Sequence, residues 1–261
     1  KSYIDLNQPP KKPEGLISIG RQMGFDGVEY PNYIMQKGGF SAVFAPSKKF
    51  KSTFVSHLAA AFFTGQSNEF KEIKGHRSEG ESILHIDTEQ ELYNAWNNFY
   101  RTKRLCNDAD LSDLYFPFKL RHMNAEQRVE FVDMLLESRK VRIPSLIFLD
   151  GIADLIDDTN DLPKSNYIVD TCMKWSDVYD VHICTVMHVT NGTKRPMGHT
   201  GSVVSRKVQT GIGISETEEK SGIFKVEHEY SRMKKFDPFY FTFDSKNLIL
   251  EEADEPDSVK I

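Results

Sequence analysis

The sequence contains no long hydrophobic run and only a few cysteines. Its longest apolar stretch, residues 58–63 with their neighbours, is far shorter than the roughly 20 residues that cross a bilayer, and no basic-then-apolar leader opens it. We therefore expect a cytoplasmic protein with no membrane contact. The three cysteines, Cys106, Cys172 and Cys184, are an odd number at wide spacings, which argues against a disulfide framework or a paired zinc motif. Reduced, mostly buried thiols are expected.

Positive charge is slightly outnumbered by negative charge, with 33 Lys and Arg against 38 Asp and Glu. A formal net charge of -5 argues against a protein whose whole surface coats nucleic acid, although a local basic site is still compatible with it. The 261 residues, 39% hydrophobic and 27% charged, have the composition of an ordinary globular protein. We expect one α/β domain with short extensions.

Apolar runs typical of strands alternate with helical patterns from residue 39 onward, which predicts βαβ units and a mostly parallel sheet flanked by helices. Asn124 and Gln127 form a capping-box pattern before an apolar helix. We predict strands at 40–45, 82–87, 145–149 and 181–187, helices at 52–64, 91–105 and 163–179 and after Asn124, and antiparallel strands at 222–230, 238–243 and 248–251. Residues 1–38 are predicted as an extended segment, 39–250 as the core domain, 251–261 as an acidic tail, and 65–81 as a polar loop or small hairpin.

A strand, a tight loop and Lys-Ser-Thr at the start of a helix follow one another in residues 40–54. This order is typical of a P-loop, because backbone N–H groups and a lysine must converge on phosphates and the next hydroxyl ligates magnesium. Lys51 is expected on the phosphates and Ser52 on the metal. The predicted nucleotide-binding residues are Ala45, Pro46, Ser47, Lys48, Lys49, Phe50, Lys51, Ser52 and Thr53.

The loop departs from the usual P-loop pattern at two positions. Ala45 and Phe50 stand where glycines are expected, and a phenylalanine at 50 restricts the backbone and is able to crowd a nucleotide. An ordinary βα turn with a basic loop is therefore an alternative interpretation of this segment.

Polar residues at the ends of later strands favour the nucleotide interpretation. Asp150 follows four apolar residues, as a magnesium-binding carboxylate does at the carboxyl edge of a parallel sheet. Glu89 is placed to orient or deprotonate an attacking water, with Asp87 as the competing candidate and a helix N-terminal acid as the alternative role of Glu89. His188 ends the fourth strand, where it would sense the γ-phosphate.

These four segments together resemble the RecA-like ATPases. The resemblance covers roughly residues 31–250, and within that family it is strongest to the RepA-type helicase ATPases of plasmids and mobile elements, with DnaB-type helicases more distant. It implies a RecA-like P-loop fold with antiparallel C-terminal strands, ATP and Mg²⁺ as cofactors, and an ATP site between subunits of a ring, expected to be a hexamer. The roles it implies are Lys51 on phosphate, Ser52 or Thr53 and Asp150 on magnesium, Glu89 as catalytic carboxylate and His188 as sensor.

A neighbouring subunit supplies a cation to the transition state in that family. The candidates here are Arg206, Lys207 and Arg232, of which Arg232 is preferred, and simple surface cations are the alternative. The stretch 181–215 has no acidic residue, so Lys194, Arg195, Arg206 and Lys207 are predicted to contact single-stranded DNA, with a mobile basic loop as the alternative.

Two functions of different classes are compatible with these features. The first is a ring-forming, ATP-driven DNA motor in replication or mobilisation of a plasmid or mobile element. The second is a nucleotide-controlled switch or loader that works with replication or mobilisation proteins and hydrolyses ATP weakly because of its altered P-loop. A small-molecule P-loop kinase is a more distant third, since the sequence has no arginine-rich lid.

Overall fold

A computed structural model describes residues 4–138, 144–190, 195–218 and 221–256. A nine-stranded sheet forms the centre, in the order β12-β11-β10-β9-β3-β8-β7-β5-β6, and a three-stranded sheet with the order β2-β1-β4 lies beside it. The strands are β1 Gly15–Met23, β2 Glu29–Gln36, β3 Phe40–Ala45, β4 Ile73–Gly75, β5 Ile83–Asp87, β6 Tyr115–Lys119, β7 Leu146–Asp150, β8 His182–His188, β9 Thr210–Glu216, β10 Phe224–Glu229, β11 Phe239–Asp244 and β12 Ile249–Ala253.

Five α-helices are found in the described ranges, together with a single 3-10 turn at Ile152–Leu155. The helices are α1 Lys51–Thr64, α2 Leu92–Leu105, α3 Ala125–Ser138, α4 Leu162–Tyr179 and α5 Gly198–Lys207. None of these helices is long and apolar enough to cross a membrane.

The parallel part of the large sheet runs from β9 to β6, and the antiparallel strands β10, β11 and β12 extend it at one edge. This arrangement confirms the predicted α/β architecture and its antiparallel C-terminal strands. Because neighbouring parallel strands run in register, Ala45 at the end of β3 lies beside His188 at the end of β8, and Asp87 lies beside Asp150. All these strand ends therefore meet at one edge of the sheet.

Side-chain caps explain where several helices begin. The Asn124 backbone N–H donates to the Gln127 side chain at 3.0 Å and the Gln127 N–H donates back to Asn124 at 2.9 Å, which is the predicted capping box. Glu91 accepts hydrogen bonds from the first turn of α2, and Asp161 does the same for α4.

Two apolar clusters cover the two faces of the sheet. The first contains buried residues of α1 and the small sheet, and the second contains those of α3, α4 and α5. Trp175 of α4 is 2% exposed and donates a hydrogen bond to Asp133 at 2.7 Å. Trp96 of α2, in contrast, is 52% exposed and stacks on Tyr100 with ring centroids 4.7 Å apart.

The N-terminal residues differ from the prediction of an extended segment. β1 and β2 form an antiparallel hairpin, and β4, in the stretch predicted as a loop or small hairpin, pairs with β1. Leu16, Ile17 and Ile19 are almost fully buried. These apolar side chains pack the hairpin into the same apolar cluster as α1, which the flanking prolines and lysines obscure in the sequence.

Buried histidines make the fold sensitive to acid. His85 lies in β5 and shares a 2.7 Å hydrogen bond between its Nδ1 and the Tyr115 hydroxyl, and burial lowers its pKa to about 3. An unfolded histidine takes up a proton near pH 6.5. Below that pH the unfolded state therefore binds a proton that the folded state does not, and stability falls until the pH reaches about 3.

In a His85→Gln variant, we expect the unfolding free energy to fall less steeply with decreasing pH, by up to about 1.4 kcal/mol per pH unit. Urea unfolding between pH 6.5 and pH 4 would measure it as a shallower slope of the unfolding free energy against pH. His122→Gln, at an exposed position, serves as the control. Equal slopes in the wild type and His85→Gln would show that His85 is not held neutral.

Candidate nucleotide site

Lys51, the first residue of α1, is a buried cation without a bound carboxylate. Its amine donates hydrogen bonds to the carbonyl oxygens of Ala45 at 3.1 Å and Pro46 at 2.7 Å, and lies 3.1 Å from His188 Nδ1. Its side chain and backbone together are 6% exposed. Burial lowers the pKa of Lys51 to about 8, against the opposing effect of Asp150 and Glu89. An anionic ligand at this position would raise this pKa and stabilise the charged form.

The loop before α1 presents free backbone donors. Lys48 and Phe50 have left-handed backbone angles, φ 60° and φ 59°, and alternation of this kind turns successive N–H groups toward one point. In the part of the chain that the structure describes, the N–H groups of residues 50–53 have no hydrogen-bond acceptor. Free donors at a helix N-terminus form a site for phosphate.

A hydroxyl and a carboxyl are paired beside this loop. Ser52 donates a short hydrogen bond from its Oγ to Asp150 Oδ2. The pKa of Asp150 is raised to about 6, chiefly by burial and also by the neighbouring Asp87 and Glu89, against the lowering effect of Ser52 and Lys51. Too little positive charge lies near the Asp150 carboxylate to stabilise its ionised form. A bound metal ion would supply that charge.

Asp87 and Glu89 follow the same strand but have different surroundings. Asp87 is 2% exposed and accepts the backbone N–H groups of Glu89 and Gln90 at 3.0 and 2.8 Å, so it holds the turn after β5. The Glu89 side chain is 71% exposed, and its Oε2 lies 4.0 Å from His188 Nε2. Of the two competing acids, Glu89 is therefore the one that the geometry places at the open site.

His188 connects these groups. Its Nδ1 lies 3.2 Å from the Ser47 hydroxyl as well as close to Lys51. Burial and the adjacent Lys51 lower the pKa of His188, so the ring is neutral at pH 7 and its Nδ1 is able to accept a hydrogen bond from the lysine.

These residues line a cavity of about 470 Å³. Its walls are residues 47–53 together with Glu89, Gln90, Asn98, Asp150 and His188. A larger cavity of about 600 Å³ lies between α3 and α4, where Glu126, Glu130 and Asp133 are part of its lining. Acids would repel a phosphate there, so the smaller cavity is the better anion site.

Comparison with known proteins agrees with this geometry. A family model described as an AAA domain matches residues 29–194, which is more than half of the chain. The chain belongs to this AAA-domain family. A crystal structure of the RadB recombinase matches with a TM-score of 0.53 and 9% sequence identity, covering 84% of this chain and 92% of that one. At this identity the likeness concerns the fold, which is RecA-like. Among curated proteins, no significant match was found.

Phe50 of this AAA domain points away from the phosphate loop. Its ring stacks on Phe243 with centroids 4.5 Å apart and meets Phe224 edge-on at 5.0 Å. The neighbouring Lys49 forms an ion pair with Glu216 at 2.5 Å. Both side chains therefore fasten the loop to the C-terminal strands, and only their backbone groups remain for a phosphate.

A Phe50→Gly variant is expected to be less stable by about 1–3 kcal/mol. It removes a partly buried ring from the aromatic cluster, and the relief of left-handed strain, about 1 kcal/mol, offsets only part of the loss. Urea unfolding would measure the difference, with Phe50→Leu as a variant that keeps an apolar side chain at the same backbone angle. Higher stability in Phe50→Gly would show that the strain outweighs the packing.

Of the residues predicted to contact DNA, those that the structure describes do not form one cluster. Arg195 precedes α5, and Arg206 and Lys207 end it, so the length of a 10-residue helix, about 15 Å, separates them. Lys194 lies outside the described residues. Arg232 donates to the carbonyl oxygen of Arg206 at 2.8 Å, next to Gln209 at the start of β9. Because β9 runs parallel to β3, Arg232 lies at the sheet edge opposite the nucleotide site of its own chain.

Three site residues were not predicted from the sequence. Gln90 and Asn98 line the cavity, and the Thr88 hydroxyl donates to the Asp154 carboxylate at 2.7 Å and accepts from the Gly151 N–H at 2.9 Å. Thr88 thus ties the ends of β5 and β7 together. Its place within the motif that includes Asp87 and Glu89 was a usable signal, whereas the direction of Asn98 on α2 depends on how that helix packs.

Proposed function

We propose that this protein binds and hydrolyses ATP with Mg²⁺ and acts as a ring-forming DNA motor in replication or mobilisation of a plasmid or mobile element. One observation carries the nucleotide part of this proposal. The buried Lys51 amine has only neutral partners within hydrogen-bond distance, and it stands beside free backbone donors. A triphosphate supplies the negative charge that this arrangement lacks.

The donor set also suits magnesium. Ser52 and Asp150 would hold the ion, and Mg²⁺ commonly takes one or two protein oxygens and completes its shell with phosphates and water. No cluster of three or more metal-binding side chains occurs in the described ranges, so a metal held by protein ligands alone is not indicated. When bound, the ion neutralises charge on the phosphates.

The remaining side chains have complementary roles in hydrolysis. Glu89 would orient or deprotonate the attacking water, since it faces the cavity from the end of β5. His188 would hydrogen-bond to the terminal phosphate from its position between Ser47 and Lys51. Arg232 lies too far from its own site, so its proposed action on the transition state requires a neighbouring subunit.

The proposal is tested by thermal unfolding with ATP, with and without Mg²⁺, and by ATP hydrolysis with and without single-stranded DNA. A ligand at 100 times its Kd stabilises the native state by about 2.7 kcal/mol. We expect a rise in Tm that needs Mg²⁺, and faster hydrolysis with DNA. Absence of any ATP effect on Tm would refute the nucleotide site. No stimulation by DNA, together with a monomer by light scattering in ATP, would refute the motor.

A nucleotide-controlled switch or loader is the second candidate, and the anchoring of the loop favours it. Lys49 and Phe50 connect the phosphate loop to β9, β10 and β11, so a change in the loop on nucleotide binding would reach those strands. Slow hydrolysis without DNA stimulation, combined with nucleotide-dependent hydrogen exchange in residues 224–244, would favour this candidate over the motor.

A further inference from the structure

The hairpin of β1 and β2 exposes aromatic and apolar side chains at its tip. Phe25 is fully exposed, Met23 is 55% exposed and Tyr30 is 44% exposed. The ring of Phe25 thus has no packing role within the described chain. A large ring held in water at the end of an ordered hairpin indicates a contact with something else.

Cations lie directly beside this tip. The Lys234 amine donates to the Met23 carbonyl oxygen at 3.4 Å, and the Asn32 side chain donates to the Lys235 carbonyl oxygen at 3.1 Å. These contacts hold the segment after β10 against the hairpin. From there Arg232 reaches the carbonyl oxygen of Arg206 at the end of α5, so the cations continue from the hairpin to that helix.

The cations of this surface are exposed and carry uncompensated charge. Arg206, Lys234 and Lys235 are all exposed, and none forms an ion pair with a carboxylate of the described residues. The acidic residues of the hairpin interact with other residues of the hairpin itself.

Those acids are Asp26 and Glu29. Asp26 accepts hydrogen bonds from the Tyr30 hydroxyl at 2.6 Å and the Val28 N–H at 3.1 Å, and Glu29 pairs with Arg21 at 2.9 Å. The surface therefore combines unpaired positive charge with aromatic rings.

We propose that single-stranded nucleic acid binds to the surface formed by Phe25, Tyr30, Arg206, Lys234 and Lys235. The phosphates pair with the cations, and bases stack on the rings, which is how sequence-tolerant single-strand binding works. The inference rests on the proposed DNA-linked function. It places the DNA contact at the end of the predicted stretch 194–207 and on the hairpin, instead of along the whole stretch.

An anionic membrane fits this surface less well. Membrane-inserting tips carry their cations around an apolar end, whereas here the cations extend sideways to α5. Asp26 and Glu29 at the tip would also have to enter the headgroup region of like charge. A nucleic-acid strand avoids both problems because its phosphates follow the cations and only a base reaches the ring.

Fluorescence anisotropy of a labelled oligothymidylate of about 20 nucleotides, longer than the site of one single-strand-binding module, tests the proposal. Changing Lys234 and Lys235 to alanine together is expected to weaken binding at least tenfold and to reduce the slope of log K against log salt by about 1.4. Phe25→Ala is expected to weaken binding about five- to tenfold, and Phe25→Tyr to restore it.

Two matched controls keep the test specific. Lys246→Ala removes an exposed lysine, and Trp96→Ala an exposed stacked aromatic, and neither is expected to alter binding. Wild-type protein that does not bind the oligonucleotide, or controls that weaken binding as much as Phe25→Ala, would overturn the proposal. So would Phe25-dependent binding to phosphatidylserine vesicles with none to the oligonucleotide.

The same variants separate this inference from the ATP site. Each of them is expected to retain the rise in Tm with ATP and Mg²⁺, since Phe25, Lys234 and Lys235 are not part of the nucleotide cavity. Loss of oligonucleotide binding with that rise intact supports the surface. If the wild type binds the oligonucleotide but ATP and Mg²⁺ do not raise its Tm, the proposed ATP site is contradicted and the proposed nucleic-acid surface is not.

Discussion

A Lys51→Ala variant is expected to lose stabilisation by ATP and Mg²⁺ while it remains folded. Lys51 is the buried cation among free loop donors, so its removal takes away the charge that binds phosphate. The rise in Tm with ATP should fall to near zero, and hydrolysis should fall at least tenfold. Lys246→Ala, at an exposed position in the turn before β12, should behave as the wild type does.

The same change should not destabilise the unliganded protein. The pKa of Lys51 is lowered to about 8, so below pH 8 the folded state holds a proton at a cost, and this penalty disappears as the pH rises to 10.5. Alanine removes the penalty, so we expect equal or higher stability, by up to about 2–3 kcal/mol, at pH 7. A strong loss of unliganded stability would mean that the amine serves the fold rather than a ligand.

An Asp150→Asn variant is expected to lose the magnesium dependence of ATP binding and to hydrolyse ATP on the order of a hundredfold more slowly. A metal contributes several kcal/mol of charge stabilisation, and about 1.4 kcal/mol corresponds to a tenfold change in rate. The amide oxygen of asparagine still accepts the Ser52 hydrogen bond, so the fold should persist.

The control for this change is Asp157→Asn, at a carboxylate that is 71% exposed and pairs with Lys164. Titration of Mg²⁺ at constant ATP, followed by Tm and by phosphate release, measures both effects. If Asp150→Asn responds to Mg²⁺ as the wild type does, Asp150 does not hold the metal.

Much of the architecture was predictable because it depends on local patterns. The Asn124–Gln127 capping box marks the start of α3, and the apolar runs before Asp87, Asp150 and His188 mark parallel strands. Since such strands end at a common edge, the sequence alone predicted that the residues of the site lie close together.

The rest depends on contacts between distant segments. α5 contains Gly198 and Gly201 and has the composition of a loop, but a Cβ at Gly201 would approach Pro196 to 2.7 Å, so close packing explains that glycine. The outward direction of Phe50 depends on Phe243, almost 200 positions away in the chain. No local pattern could show whether Asp87 or Glu89 faces the cavity, because the turn between them decides it.

The contrasting surroundings of the two tryptophans give the protein an optical probe of its own. Trp175 is buried in the core, whereas Trp96 is exposed on α2, the helix that begins just after Glu89 and Gln90. A water-soluble quencher therefore acts on Trp96 and spares Trp175. Changes in the quenchable emission would follow events at the end of β5, with the protected emission as an internal reference in the same molecule.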